Sequence, residues 1–220
     1  MKNGCRLVRV RRLRREWGEG VMRISEGVVL VVAFAFSLLF MAAPPASAEE
    51  SVGSADSELA LLTGYGITHR GFGDTRTQVQ TVDLIGRYGW FLSKEIGAGS
   101  WFQGRHELLV ELPLHLVVDP KSAVITGGYL LGSWKFTSLG SWLPYVFAGG
   151  GIVYTNMDLP TMGSSLNFSY QGGVGLQYLI RPDLALMGEY RYLHISNAGT
   201  ATPNEPLNFS HFLVGVSRFF

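Results

Sequence analysis

From about residue 58 to the C-terminus the chain alternates apolar and polar residues with a period of two, in segments of ten to sixteen residues. Beyond Glu49 no apolar run reaches the ~20 residues of a membrane-spanning helix. The clearest segment is 166–180. Leu166, Phe168, Tyr170, Val174, Leu176, Tyr178 and Ile180 share one parity; Asn167, Ser169, Gln171, Gly173, Gly175 and Gln177 share the other. Successive side chains of a strand point to opposite faces, so this segment presents one apolar and one polar wall. In 105–118, His106, Leu108, Val110, Leu112, Leu114 and Leu116 oppose Glu107, Glu111 and His115. In 78–92, Val82, Leu84, Tyr88 and Trp90 oppose Asp83 and Arg87.

A soluble β-sandwich alternates too, but its charged residues lie on the solvent side. A membrane barrel reverses the sense, with apolar residues outward to lipid and polar ones lining the interior. Eight segments are counted, 58–68, 78–91, 105–118, 122–135, 142–154, 165–180, 183–195 and 208–220, of which the fourth and fifth alternate weakly. The fold expected is therefore all-β, an eight-stranded antiparallel transmembrane barrel. Its even strand number leaves both termini on the periplasmic side. Eight strands enclose an interior that side chains fill, so a diffusion pore is not expected. Asp83, Arg87, Glu107, Glu111, Glu189 and Arg191 are expected to form a paired network there. Pro113, inside the third strand, demands a bulge or a missing ladder bond. The chain ends on Phe219-Phe220, and a terminal aromatic resembles the assembly signal of outer-membrane barrels.

Residues 1–48 read differently. Eight of the eighteen Lys and Arg residues and three of the seventeen acidic ones fall there. Without them ten basic and fourteen acidic residues remain, a formal charge of −4, so the basic surplus gives no reason to expect nucleic-acid binding. Arg6 to Arg15 and Arg23 precede an apolar run from Val28 to Ala43, which Pro44-Pro45 breaks before Ala46-Ser47-Ala48. That order is a secretory signal with a small-residue cleavage site. Met22 offers a second start, because Met22-Arg23-Ile24-Ser25 would open a signal of ordinary length. Export leaves residues 49–220 as one barrel domain in a bacterial outer membrane. Cys5, the only cysteine, belongs to the removed segment, so neither a disulfide nor a cysteine metal site is expected.

Candidate chemistry lies in the last hairpin. Tyr190, Tyr192, His194 and Ser196 share the lipid-facing parity of Leu184 and Leu186, while Asp183, Met187, Glu189 and Arg191 face the lumen. His194 and Ser196 stand two residues apart, roughly 6–7 Å between Cα atoms. On the last strand Phe212, Val214 and Val216 mark the lipid face, and Asn208 has their parity. A serine nucleophile needs a base, and the base needs a third group to fix its tautomer. His194, Ser196 and Asn208 can supply these roles on the outer wall at the extracellular end. A histidine and a serine at headgroup level, with no chemistry, would give the same pattern. His69 and His106 lie at strand ends, His115 and His211 have lumen parity, and no two of these share a metal-ligand spacing. The stretches Asp74-Thr75-Arg76 and Asn156-Met157-Asp158 read as solvated loops, able to meet phosphates or bridging cations.

The stretch Tyr190-Arg191-Tyr192-Leu193-His194-Ile195-Ser196-Asn197-Ala198-Gly199, with Pro203-Asn204 following, resembles the signature of the lipid A 3-O-deacylases of the PagL type. The resemblance covers about thirty C-terminal residues. It implies an eight-stranded outer-membrane esterase that hydrolyses the 3-O-linked acyl ester of lipid A in the outer leaflet. Ser196 is then the nucleophile and His194 the general base. Asn197, with the backbone near Ala198 and Gly199, is implied in stabilising the oxyanion. No metal or organic cofactor is implied. One position departs: known members carry a glutamate where this chain has Asn208, and Glu205 is the alternative source of that charge. The competing reading is a non-enzymatic structural or adhesion barrel. A homodimer hiding the outward face is compatible with either.

Overall fold

A computed structural model describes residues 52–157 and 162–220. The signal segment 1–48, with Cys5 and Met22, lies outside the described residues, as does Asp158. Eight strands run in chain order: β1 (Ser57–Thr68), β2 (Gln80–Phe91), β3 (Gly104–Asp119), β4 (Ala123–Phe136), β5 (Trp142–Thr155), β6 (Leu166–Arg181), β7 (Leu184–Ser196) and β8 (Leu207–Phe219). Each pairs antiparallel with its neighbours, and β8 returns to β1, so the sheet closes and no edge is left. The bounds fall within a residue or two of those expected.

The period of two sets which residues face where. On β6, Leu166, Phe168, Tyr170, Val174, Leu176 and Tyr178 are exposed on the outer wall, while Asn167, Ser169, Gln171 and Gln177 are buried inside. Aromatic residues ring the wall at two heights: Trp90, Trp142 and Tyr178 towards the termini, Tyr65, Tyr154 and Tyr170 towards the other end. Such girdles mark the two membrane interfaces. Val216 departs from the expectation. It has lipid-facing parity yet is 3% exposed, so Phe212 and Val214 alone mark that face of β8.

Pro113 pairs with Ile85 on β2, but the β3–β4 ladder skips from Glu111↔Tyr129 to Leu114↔Thr126 without a change of register. The proline is thus met by missing ladder bonds and no bulge. Thr126 Oγ1 donates to the Pro113 carbonyl at 2.8 Å and recovers one of them.

The expected single network of six lumen charges is instead three separate clusters. At the level of β1's start, Lys135 sits between Glu58 and Glu107, the latter at 3.3 Å. Midway, Arg87 bridges Glu111 (2.7 Å) and Glu189 (2.5 Å), and Arg191 contacts the same two carboxylates. Above them Asp83 contacts His115 and His211. Lys135 and Glu58, which the sequence pattern did not single out, complete the first cluster. The charges separate because inward residues on one strand rise by two positions at a time, and an arginine reaches only the carboxylates at its own level. At the end away from the termini an apolar plug closes the lumen, built from Val79, Val117, Ile125, Val153, Leu193, Ile195, Leu207 and Phe209.

Candidate active site

The outer wall carries its polar residues at that plugged end. β7 and β8 pair there with His194 opposite Asn208, which brings the two side chains together on the outside. The His194 Nδ1 lies 2.7 Å from Asn208 Oδ1, and its Nε2 lies 3.1 Å from Ser196 Oγ. Asn208 Oδ1 can only accept, so Nδ1 must carry the proton and Nε2 is left with its lone pair towards the serine. Ser196 Oγ–H then donates to a base already in the tautomer that can accept its proton. Tyr170, opposite His194 on β6, stacks on the imidazole with centroids 4.3 Å apart and planes at 16°.

The Asn208 amide is oriented by the segment between β1 and β2. Its Nδ2 donates to the carbonyls of Phe72 (3.0 Å) and Gly73 (2.9 Å) and lies 2.8 Å from Thr75 Oγ1. Those acceptors distinguish the two ends of the amide and turn Oδ1 to the imidazole. Tyr192 O–H also donates to Oδ1, at 2.5 Å. Gly73 has φ +54°, and a Cβ there would stand 2.8 Å from Asn208 Nδ2, so glycine lets the loop backbone approach. Within Asp74-Thr75-Arg76 the first and last residues are exposed, as expected of a solvated loop, whereas Thr75 is turned inward and 1% exposed. Nothing in the local pattern marks Phe72, Gly73 or Thr75, because their role exists only once loop 69–79 folds onto β8.

Glu205 does not take the third position. Its Oε1 accepts from the backbone N–H groups of Arg76 and Thr77, both at 2.7 Å, so it fixes the same loop from the other side. Glu189 is buried in the lumen on Arg87 and Arg191. The imidazole therefore meets the neutral amide of Asn208 and no carboxylate.

Asn197 and Gly199 are occupied inside their own turn. Asn197 Nδ2 donates to the Pro203 carbonyl at 3.1 Å, and its Oδ1 accepts from Gly199 N–H at 2.9 Å. The Asn197 N–H goes to Asn204 Oδ1 and the Thr200 N–H to the Asn197 carbonyl. Of the four backbone donors from Asn197 to Thr200, only that of Ala198 is not engaged among the described residues. Ala198 is held at φ 53°, in the left-handed region. Asn197 thus shapes the turn after Ser196, and Ala198 is the donor that the turn leaves over.

Elsewhere, His69 Nε2 and Tyr190 O–H both contact Ser210 Oγ, at 2.9 and 3.0 Å, one step from the site on the same wall. His106 lies exposed against Trp134. Asn156 is exposed, as expected of a solvated loop, and its Oδ1 accepts from Val124 N–H, whereas Met157 is buried.

A family model described as lipid A 3-O-deacylase (PagL) matches residues 80–217. Among solved structures, Neisserial surface protein A is similar, with a TM-score of 0.57 at 14% identity, covering 76% of this chain and 98% of that one. The outer membrane enzyme PagL is similar with a TM-score of 0.51 at 18% identity, covering 72% of this chain and 97% of that one. At such identities both establish the shared barrel fold. A sequence comparison with curated proteins gives no match.

Proposed function

The chain belongs to the lipid A 3-O-deacylase (PagL) family, and on that footing we propose that it is a serine esterase removing the 3-O-linked acyl chain of lipid A. The observation that carries the reading is the continuous hydrogen-bonded line Ser196–His194–Asn208 on the lipid-facing wall. A lipid substrate reaches that wall laterally from the outer leaflet, without passing through the barrel.

His194 Nε2 takes the Ser196 proton as Oγ attacks the ester carbonyl. The carbonyl π electrons move onto oxygen, and the Ala198 N–H is the donor placed to meet the oxyanion. Collapse breaks the bond to the sugar oxygen, which leaves with the proton from His194 and gives an acyl-Ser196 ester. Water then attacks that ester as His194 takes its proton; collapse breaks the acyl–Oγ bond, His194 returns the proton to Ser196 Oγ, and the 3-hydroxy fatty acid leaves. Asn208 holds the imidazole in the correct tautomer throughout but adds no negative charge to stabilise the imidazolium. Slower turnover than in a glutamate-bearing member is expected. The chemistry needs no cofactor.

Export through the 1–48 signal segment, starting at Met1 or at Met22, is part of the same proposal. Lipopolysaccharide is the partner it implies, with no nucleic acid.

The test is mass spectrometry of lipid A from cells expressing the barrel, beside a Ser196→Ala control. Loss of one 3-hydroxyacyl chain with the wild type and none with the control supports the esterase. Unchanged lipid A with folded wild-type protein in the membrane favours the structural or adhesion barrel.

A further inference from the structure

Asp83, His115 and His211 meet in the sealed lumen from β2, β3 and β8. Their potential ligand atoms all lie within 4.8 Å of one another, and each residue is 1% exposed. The His115 Nδ1 is 2.7 Å from Asp83 Oδ1, and the His211 Nδ1 is 2.6 Å from Oδ2. Residues 83, 115 and 211 are far apart in the chain, which is why no sequence spacing shows the cluster. Barrel closure makes it.

The charge around it is unusual. The lumen arginines Arg87 and Arg191 are matched by Glu111 and Glu189, and Lys135 is taken by Glu58 and Glu107. Asp83 faces no lysine or arginine among the described ion pairs, only two imidazoles. A buried carboxylate without a fixed cation is costly, and a dication between the three side chains would offset that cost. Two further features fit a ligand set. The His115 Nε2 lies 3.1 Å from Tyr129 O–H, a partner that orients the ring as outer groups do around metal-bound histidines. The Nε2 of His211 and the Oγ1 of Thr81 are buried with no hydrogen-bond partner in the same region. Gly66 makes the room: a Cβ there would collide with the His211 ring and with Thr81 Oγ1.

We propose that Asp83, His115 and His211 form a structural site for a zinc-class dication that ties β2, β3 and β8 together inside the barrel. Two imidazoles and one carboxylate suit zinc better than calcium or magnesium, which prefer all-oxygen sets. Metal–ligand bonds of about 2.0–2.2 Å place tetrahedral ligand atoms about 3.3–3.6 Å apart, within reach of the present separations by small side-chain shifts. The three side chains supply three of the four ligands of a tetrahedral site. The site is unconnected with Ser196 and does not depend on the esterase reading.

The test uses untagged barrel purified from membranes, then unfolded and refolded in detergent with zinc or cobalt and passed over a chelating resin. About one zinc per folded barrel is expected to be retained. The cobalt form should show the visible absorption of a tetrahedral site. His115→Gln and His211→Gln, measured on the folded fraction, should each lower retention at least ~10-fold. His106→Gln, on the outer wall, should retain zinc as the wild type does. Wild-type barrel that is folded but keeps no metal and gives no tetrahedral cobalt bands overturns the proposal, whatever the variants do. So does retention that the lumen variants leave unchanged, or a protonated imidazolium detected by nitrogen NMR in the cluster of the zinc-treated protein.

Discussion

The outer wall and the lumen of this barrel each gather histidines into a polar cluster, and β8 serves both. Asn208 points out to His194, and His211, three residues on, points in to Asp83. The outer cluster sets a serine hydroxyl against an imidazole and has no carboxylate; the inner one sets two imidazoles against a carboxylate. Outside, the amide and the hydroxyl find their partners on β7, β8 and loop 69–79. Inside, charges find partners on seven other strands. A hydroxyl there could never meet a lipid ester. The same alternation that makes the barrel therefore sorts its polar side chains into an outward and an inward cluster.

The comparison breaks most sharply at Ser196. Ser196→Ala should lower 3-O-deacylation by at least ~10³-fold while leaving the urea midpoint of unfolding where it was. Residual release near the wild-type rate would remove the catalytic half of the contrast. Arg191→Met tests the other half. It strips Glu111 and Glu189 of a buried partner and should cost about 3–5 kcal/mol of stability, read from denaturant unfolding in detergent. Activity per folded barrel should not change, and a fall in kcat would show that the two regions are coupled.

Smaller effects sharpen the picture. Asn208→Ala should reduce kcat about 10²-fold with little change in KM, since the imidazole loses its tautomer lock rather than a substrate contact. Asn208→Asp should not do better, because its oxygen would face the Phe72 and Gly73 carbonyls that now accept from Nδ2. Activity equal to or above wild type in Asn208→Asp would show that charge matters more than the loop. Tyr170→Leu removes the ring stacked on His194 and should cost roughly 2–10-fold in kcat, in line with the ~0.5–1.5 kcal/mol of an aromatic pair. A kinetic assay on detergent-solubilised lipid A would detect each step.

Strand number, strand limits and facing were legible in the residues because alternation is local. Leu166 to Ile180 announce their two walls without reference to any other strand. His194 and Ser196 were legible for the same reason, being two apart on one strand. Their meeting with Asn208 needed only one hairpin. The lumen was harder. Parity put Asp83, Arg87, Glu107, Glu111, Glu189 and Arg191 inside but could not say at what height, so one network was expected where three clusters stand. Lys135 and Glu58 went unnoticed on strands whose alternation gave no cue to their partner.

The sequence by itself determined an eight-stranded barrel, its two faces and the place of His194 and Ser196 on the outer one, because each follows from spacings of two along a single strand. Only the tertiary structure decided that loop 69–79 would lock Asn208, that Asn197 and Gly199 would be used up in their turn, and that Asp83, His115 and His211 would meet. Those outcomes depend on which residues of distant strands share a height after closure. Height is set by register around the whole barrel, a quantity that no local period contains.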